Sequence, residues 1–156
     1  QHHERQDGNG YPRGLKGTNK IDKGGLIYTD EEKMITIAEI AAIADYYDAC
    51  ISDRPFRAAL RPDLAHELIR VGAVPQFNRE LVDCFLQIVP KYPIGCEVMI
   101  INGRYRDFSG IVASLNKFEI SKPKVRLLHD NNKKKIMPFE IDLSASSYNT
   151  EMECIS

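Results

Sequence analysis

Two adjacent histidines, His2 and His3, belong to the stretch of this sequence that is richest in groups able to do chemistry, HHERQDGNGYPRG. Neighbouring side chains point roughly 100° apart on a helix and to opposite faces of a strand. A pair so placed could serve two neighbouring metal ions rather than chelate one. The remnant of an expression tag is the alternative, but a tag is a longer run of histidines followed by a linker. Here a charged segment and a glycine-bounded turn follow directly, which favours a metal-binding role.

A later predicted helix carries the next candidate residues. Thr29-Asp30-Glu31-Glu32 offers a capping box and early negative charge, as is typical of a helix start. Asp45 and Asp48 extend a stripe at helical spacing that consists of Met34, Ile37, Ala38, Ala41 and Ala44. Because an ionised carboxylate is costly to bury alone, each should have a cation, a metal or a hydrogen-bond donor beside it.

The elements that follow are predicted as two shorter helices and then several strands. One helix begins at Pro62, since proline is tolerated at the first helical position, and the other is capped by Asn78. The strands are CEVMII, FSGIVASL, KVRLLH, KKIM and FEIDL, which are separated by turn residues. We therefore expect a mainly α-helical domain over residues 1–90, a small all-β, barrel-like appendage over 91–145 and a polar, frayed tail over 146–156.

Composition narrows the class of protein. Of the 156 residues, 43% are hydrophobic and 28% are charged, which is ordinary for a soluble domain. A net charge of -1 gives no general reason to expect nucleic acid or an anionic membrane as partner. No apolar run approaches the roughly 18 to 20 residues that span a bilayer. The four cysteines are scattered without a CxxC pair, so we expect free thiols and a cytoplasmic location.

The two candidate segments together resemble the HD-GYP family, bacterial phosphodiesterases that hydrolyse cyclic di-GMP. HHERQDGNGYPRG is similar to the family's signature, and IAAIADYYDACISDRPFRAAL resembles its second hallmark, in the same order. The resemblance covers roughly residues 1 to 90 and implies a partial HD-type helical domain. The region from about 94 to 143 is similar, more loosely, to a short extension seen after some members.

The resemblance implies metal ligands and no further catalytic group. His2 and His3 match the family's paired histidines, and Asp45 matches the aspartate that closes its metal site. Two or three clustered divalent ions can polarise a phosphodiester and acidify a bridging water, and imidazole with carboxylate suits iron or manganese. Asp45 could instead pair with a buried arginine.

The same resemblance implies contacts to cyclic di-GMP. Tyr11 matches the tyrosine that packs on guanine, while Arg54 and Arg57 match residues that contact the phosphates. Asp7, Gly8, Gly10 and Pro12 would shape the loop that presents Tyr11. The alternative roles are purely structural. Tyr11 could occupy a core position, and Arg54 could pair with Asp48 or Asp53. Asp48 is expected to hold the turn from Ser52 to Arg57 by hydrogen bonds.

The resemblance also implies parts that precede residue 1, above all a His-Asp pair that bridges the metals. We therefore expect the chain to be the C-terminal part of a catalytic domain, to need the N-terminal half and to be inactive alone. The segment KGTNKIDKGGLIYT, residues 16–29, is interpreted as an insertion that could act as a lid. A noncatalytic module that binds cyclic di-GMP or a protein is the second hypothesis. A diguanylate cyclase and a second copy of the chain are candidate partners.

Overall fold

The computed structural model, which describes residues 1–21, 34–145 and 150–155, divides into two units, the first mainly helical and the second containing an antiparallel sheet. Unit 1 comprises Gln1–Leu60 and Leu64–Ile88. Unit 2 comprises Arg61–Asp63 and Val89–Ser156. The architecture is therefore α followed by β along the chain, as the sequence pattern predicted.

Three helices are present in the described ranges: α1 (Thr36–Ile51), α2 (Pro62–Gly72) and α3 (Arg79–Ile88). The predictions of α2 and α3 are confirmed. Asn78 caps α3, because its Oδ1 accepts hydrogen bonds from the backbone N–H groups of Glu80 at 3.1 Å and Leu81 at 3.4 Å. Among the residues that the structure describes, no helix has the length and apolar character needed to cross a membrane.

Helix α1 buries a different face from the predicted one. Its buried residues are Thr36, Ala38, Glu39, Ala42, Ile43 and Cys50, so of the predicted stripe only Ala38 is buried. Ile37 is 57% exposed, and Asp45 and Asp48 are exposed as well. The prediction failed because α1 has apolar residues on several faces, and periodicity cannot choose among them. The predicted cap at Thr29 lies outside the described residues.

Packing within unit 1 settles which face of α1 is buried. Its core joins side chains of all three helices and of the loop before α3: Ala42, Ile43, Ile69, Phe77, Leu81 and Val82. Burying such side chains contributes roughly 1.5–3 kcal/mol each for the larger ones, which fixes the rotation of α1 about its axis. Asp45 is exposed and lies at the margin of this buried face, one turn from Ala42.

Unit 2 contains one five-stranded antiparallel sheet with the strand order β4-β3-β2-β1-β5. The strands are β1 (Glu97–Ile100), β2 (Ser109–Ser114), β3 (Lys124–His129), β4 (Lys135–Asp142) and β5 (Met152–Cys154). The predicted barrel is wrong, because closure requires the two end strands to pair, and β4 and β5 are the open edges of this sheet.

Two further details of unit 2 correct the sequence prediction. The segments KKIM and FEIDL form a single strand, β4, that continues through Pro138. Proline is tolerated there because β4 is an edge strand, whose outer backbone groups need no partner strand. The tail is not frayed over Met152–Cys154, since these residues form β5 and Met152 and Cys154 are buried against the sheet core.

Candidate functional site

A cavity of about 330 Å³ in unit 1 collects most of the residues singled out from the sequence. Six of them line it: His2, His3, Gly10, Tyr11, Asp45 and Arg54. The rest of its wall is formed by Glu4, Arg5, Asn9, Ala42, Tyr46, Ala49, Gln76 and Phe77. The amino-terminal loop, α1 and the turn after α1 therefore contribute side chains to one concave surface of the size that small ligands occupy.

Aromatic contacts order the loop side of this cavity. The rings of His2 and His3 lie with centroids 4.0 Å apart, and the ring of His3 stacks on Tyr11 at 4.7 Å with an interplanar angle of 20°. The backbone N–H of Tyr11 donates to the carbonyl oxygen of His3 at 3.2 Å. Tyr11 is 62% exposed, so it is not a core aromatic, and its ring remains accessible to a planar ligand.

Gly10 lets the loop fold back on its own start. A Cβ at this position would lie 2.5 Å from the backbone nitrogen of Arg5 and the Cα of Glu4, and 2.6 Å from the carbonyl oxygen of His3. Any other residue would therefore push the backbone apart at the point where Tyr11 bonds to His3. Gly8, two residues earlier, has φ of +80°, a left-handed conformation that favours glycine.

Glu4 holds the loop from inside and was not singled out from the sequence. It is 2% exposed, and its two carboxylate oxygens accept hydrogen bonds from the backbone N–H groups of Arg13 and Leu15, both at 2.8 Å. A carboxylate satisfies two loop amides that have no strand or helix to pair with. The role of Glu4 could have been predicted from the sequence, because an acidic residue beside a glycine-rich loop can accept hydrogen bonds from backbone N–H groups that lack a partner in a helix or strand.

Asp7 and Pro12 take the positions expected of loop residues. The carboxylate of Asp7 accepts hydrogen bonds from the Arg5 guanidinium at 3.1 and 3.2 Å and from the Asn9 backbone N–H at 2.9 Å. The Arg5 bond, followed by the Asn9 bond, lowers the pKa of Asp7 to about 2. Asp7 therefore stays ionised throughout the physiological range. Pro12 is exposed and follows Tyr11 through a cis peptide bond.

The two arginines of the second segment lie in different environments. Arg54 and Arg57 bond to each other through their backbones, N to O, at 2.9 and 3.0 Å, which makes the turn after α1 tight. The Arg54 side chain lines the cavity, whereas the Arg57 guanidinium donates to the carbonyl oxygens of Ala49 and Cys50. Arg57 therefore satisfies the last carbonyl groups of α1 and does not form part of the cavity wall.

The alternative role of Arg54, structural pairing with Asp48 or Asp53, is not seen in the described part of the chain. Asp48 instead accepts from the Ser52 hydroxyl at 3.4 Å, which is the turn contact expected for it. Asp53 accepts from the backbone N–H of Ala59 at 2.8 Å. Both carboxylates thus hold the turn, and Arg54 is among the residues that line the cavity.

The predicted metal ligands share the cavity without forming a metal site. Within residues 1–21, 34–145 and 150–155, no group of three or more histidine, cysteine, aspartate or glutamate side chains is close enough to hold an ion. Asp45 is exposed, which corrects the expectation that it is a buried carboxylate with a partner. His2, His3 and Asp45 as arranged here do not complete the coordination shell of a divalent ion.

A buried polar cluster connects the loop to α1 and α3. Glu39 of α1 is 6% exposed, and its Oε1 accepts hydrogen bonds from Gln6 Nε2 at 2.5 Å and Asn78 Nδ2 at 3.2 Å. Gln6 in turn accepts from the backbone N–H of Asn19 at 3.0 Å. Burial raises the pKa of Glu39 above its ordinary value of 4.5, and the two amide donors oppose that rise.

Replacing Glu39 by glutamine should raise stability at alkaline pH and not at acidic pH. The raised pKa means that ionised Glu39 is disfavoured in the folded state, so stability is lost as pH rises above about 4.5. Glutamine keeps an oxygen acceptor for Gln6 and Asn78 but carries no charge. We expect the melting temperature of Glu39→Gln to exceed that of the wild type by about 2–4 °C at pH 8 and to approach it near pH 4.5. If the two melting temperatures differ by the same amount at every pH, the effect is not due to ionisation of Glu39. Asp83→Asn is the matched control, because Asp83 is exposed.

Comparison with curated proteins relates the chain to cyclic-dinucleotide phosphodiesterases. It is 30% identical over 142 residues to a cyclic di-GMP phosphodiesterase of Pseudomonas aeruginosa, a match that covers 90% of this chain and 29% of the relative. It is 36% identical over 87 residues to a cyclic di-GMP phosphodiesterase of Thermotoga maritima, covering 56% and 20% of the two chains. A 3'3'-cGAMP-specific phosphodiesterase of Vibrio cholerae is 41% identical over 64 residues, which is 41% of this chain and 11% of that one.

These matches are distant and partial. The chain spans less than a third of the length of each of these relatives. A scan against models of protein families gives no match. The chain is therefore a distant homologue of cyclic di-GMP phosphodiesterases over part of their length.

Proposed function

We propose that this chain supplies the nucleotide-binding part of a site that hydrolyses cyclic di-GMP, to pGpG, to GMP or to both, as part of a longer HD-GYP protein. The observation that carries the proposal is the common cavity of His2, His3, Tyr11, Asp45 and Arg54. Such a set combines candidate metal ligands, an exposed aromatic ring and a guanidinium, which are the groups that a purine phosphodiester requires. The names of the relatives support the same substrate class.

Binding of the nucleotide is assigned to Tyr11 and Arg54. The exposed ring of Tyr11 offers a surface on which a guanine can stack, in place of or beside the contact with His3. The guanidinium of Arg54 matches the geometry of a phosphate better than an ammonium would. Arg57 contributes by holding the end of α1, from which the Arg54 turn departs.

The metal part of the proposal depends on residues beyond the described ones. Two or three divalent ions, iron or manganese, would be bound by His2, His3 and Asp45 together with further ligands, among them the His-Asp pair that the family resemblance implies. Further ligands are part of the proposal because the described residues do not form a group that could hold an ion. The chain by itself is accordingly proposed to bind metal weakly and to lack turnover.

Replacing Arg54 by glutamine should weaken nucleotide binding without loss of stability. One charge-assisted contact to a phosphate contributes about 1.5–3 kcal/mol, so we expect cyclic di-GMP affinity to fall by about 10- to 100-fold. The matched change Arg57→Gln should instead lower the melting temperature, since it removes the donor to Ala49 and Cys50, and should change affinity by less than about 3-fold. Titration calorimetry and thermal melts on the complete encoded protein separate the two effects. Equal losses of affinity would show that both arginines contact the ligand.

The proposed reaction is tested on the complete encoded protein, purified with iron or manganese and incubated with cyclic di-GMP or 3'3'-cGAMP. We expect chromatography to show linear or mononucleotide products from cyclic di-GMP. Faster hydrolysis of 3'3'-cGAMP would support the proposed phosphodiesterase reaction but show that cyclic di-GMP is not the preferred substrate. Binding without turnover would favour the noncatalytic module, and absence of both would refute the proposal.

A further inference from the structure

Two thiols of unit 2 approach each other where the last strand meets the first. Cys96 directly precedes β1, and Cys154 is the final residue of β5. Their sulfur atoms are 2.9 Å apart. In the antiparallel register Val98 pairs with Cys154, so Cys96, two residues before Val98, is the diagonal neighbour of Cys154 on the same face of the sheet. The two sulfur atoms thus meet through strand pairing, although the residues are 58 positions apart in the sequence.

The two cysteines differ in access to solvent. Cys154 is fully buried in the core of the sheet, whereas Cys96 is only partly buried and packs against that core from its edge. Burial raises the pKa of both thiols, and the neighbouring thiol raises that of Cys154 further. Cys96 is therefore the sulfur that a small solute reaches first.

We propose that Cys96 and Cys154 form a disulfide-forming modification site that takes a small peroxide as its oxidant. The Cys96 thiolate attacks one peroxide oxygen, the O–O bond breaks, and with hydrogen peroxide a sulfenic acid on Cys96 and hydroxide result. The sulfur of Cys154 then attacks the sulfenic sulfur, the S–O bond breaks and water leaves with the proton of Cys154. In total, two thiols and one hydrogen peroxide give one disulfide and two waters. Each sulfur loses one electron, and the peroxide accepts two.

The cross-link would attach β5, a short strand at the edge of the sheet. β5 has three residues and pairs with β1 on one side only. Its other contacts include the hydroxyl of Tyr92, which donates to the Met152 carbonyl at 2.6 Å, the backbone N–H of Cys154, which donates to Asp63 at 3.3 Å, and an ion pair of Glu153 with Arg61 at 3.8 Å. A covalent bond from β5 to the start of β1 would close a long loop and hold the edge strand in register.

The test uses the whole chain with the exposed Cys84 replaced, Cys84→Ser, so that cross-links between molecules are avoided. After treatment with hydrogen peroxide we expect the intact mass to fall by about 2 Da, the loss of two hydrogen atoms. Trypsin should then release residues 92–104 joined to residues 136–156, and a thiol reductant should separate them. The melting temperature of the oxidised form should rise on the order of 10 °C and return after reduction.

Several results would overturn the proposal. Gains of about 16 or 32 Da on separate peptides would show sulfenic or sulfinic products without a disulfide. A cross-link from Cys96 or Cys154 to Cys50 would show that another pair is preferred. The variant Cys96→Ser in the same background should lose the mass decrease; if the decrease persists, the site is not this pair. Because the peptide map of the Cys84→Ser protein gives the connectivity directly, the proposal is decided even if the Cys96→Ser variant fails to fold.

Discussion

Replacing Asp45 by asparagine is expected to abolish most of the cyclic di-GMP hydrolysis proposed for the complete encoded protein. Asp45 lines the cavity together with His2 and His3 and is the proposed anionic metal ligand on α1. Loss of an outer partner of a metal ligand already costs 10- to 100-fold, so loss of the ligand itself should lower kcat/KM by at least about 100-fold. The side chain is exposed, and its replacement should change the free energy of unfolding by less than about 0.5 kcal/mol. Product formation, metal content and thermal melts measure these quantities.

Asp48→Asn is the matched control, because Asp48 is also exposed and lies on the same helix within one turn. Its carboxylate contacts Ser52 and is not part of the cavity wall. We expect kcat/KM to change by less than about 3-fold. If the two variants lose activity equally, then the effect comes from the helix or its turn, and the assignment of Asp45 as a ligand fails.

Replacing Gly10 by alanine is expected to displace the loop and to remove the proposed nucleotide binding. The added Cβ would meet backbone atoms of three residues at 2.5–2.6 Å, and backbone cannot rotate away as the end of a side chain can. Crowding of this kind costs about 1–3 kcal/mol. The stacked pair of Tyr11 and His3 should separate, and a misplacement of about 1 Å can lower the rate about 100-fold. We expect a lower melting temperature together with weak cyclic di-GMP binding in calorimetry.

Arg13→Ala is the control within the same loop. Arg13 is exposed, and its contact with Glu4 uses the backbone N–H, which alanine retains. Stability and affinity should therefore stay close to those of the wild type. If Gly10→Ala binds cyclic di-GMP as tightly as Arg13→Ala, the loop tolerates the displacement and the tyrosine is not a ligand contact.

Local sequence pattern was sufficient to predict most helices and strands and to identify the reactive side chains. Helices α2 and α3 follow from Pro62, Asn78 and a clear apolar stripe, because capping and periodicity act over a few residues. The four longer strands follow from alternation and turn residues in the same way. The paired histidines and the aspartate of α1 were recognisable as candidate ligands, since residue type and order are properties of the chain alone.

Periodicity does not determine which face of a helix is buried or which distant side chains meet. Both depend on packing in the folded protein. The buried face of α1 depends on which partner helices pack against it, and so the exposure of Asp45 could not be predicted from a helix that is apolar on several sides. The separate positions of Arg54 and Arg57 depend on a tight turn that aims one guanidinium at the cavity and the other at the end of α1. The role of Glu39 became visible only when its amide partners Gln6 and Asn78, distant in sequence, were brought beside it.

The sheet shows the same division. Alternation predicted the strands, but neither the open edge at β4 nor the return of β5 to β1 is encoded in the pattern of any single strand. Strand order and register come from long-range backbone pairing, which also brings the sulfur atoms of Cys96 and Cys154 together. Local pattern therefore determined which elements and reactive groups exist, and packing between distant segments decided which of them face one another, because burial and pairing energies are summed over contacts that no short window of sequence contains.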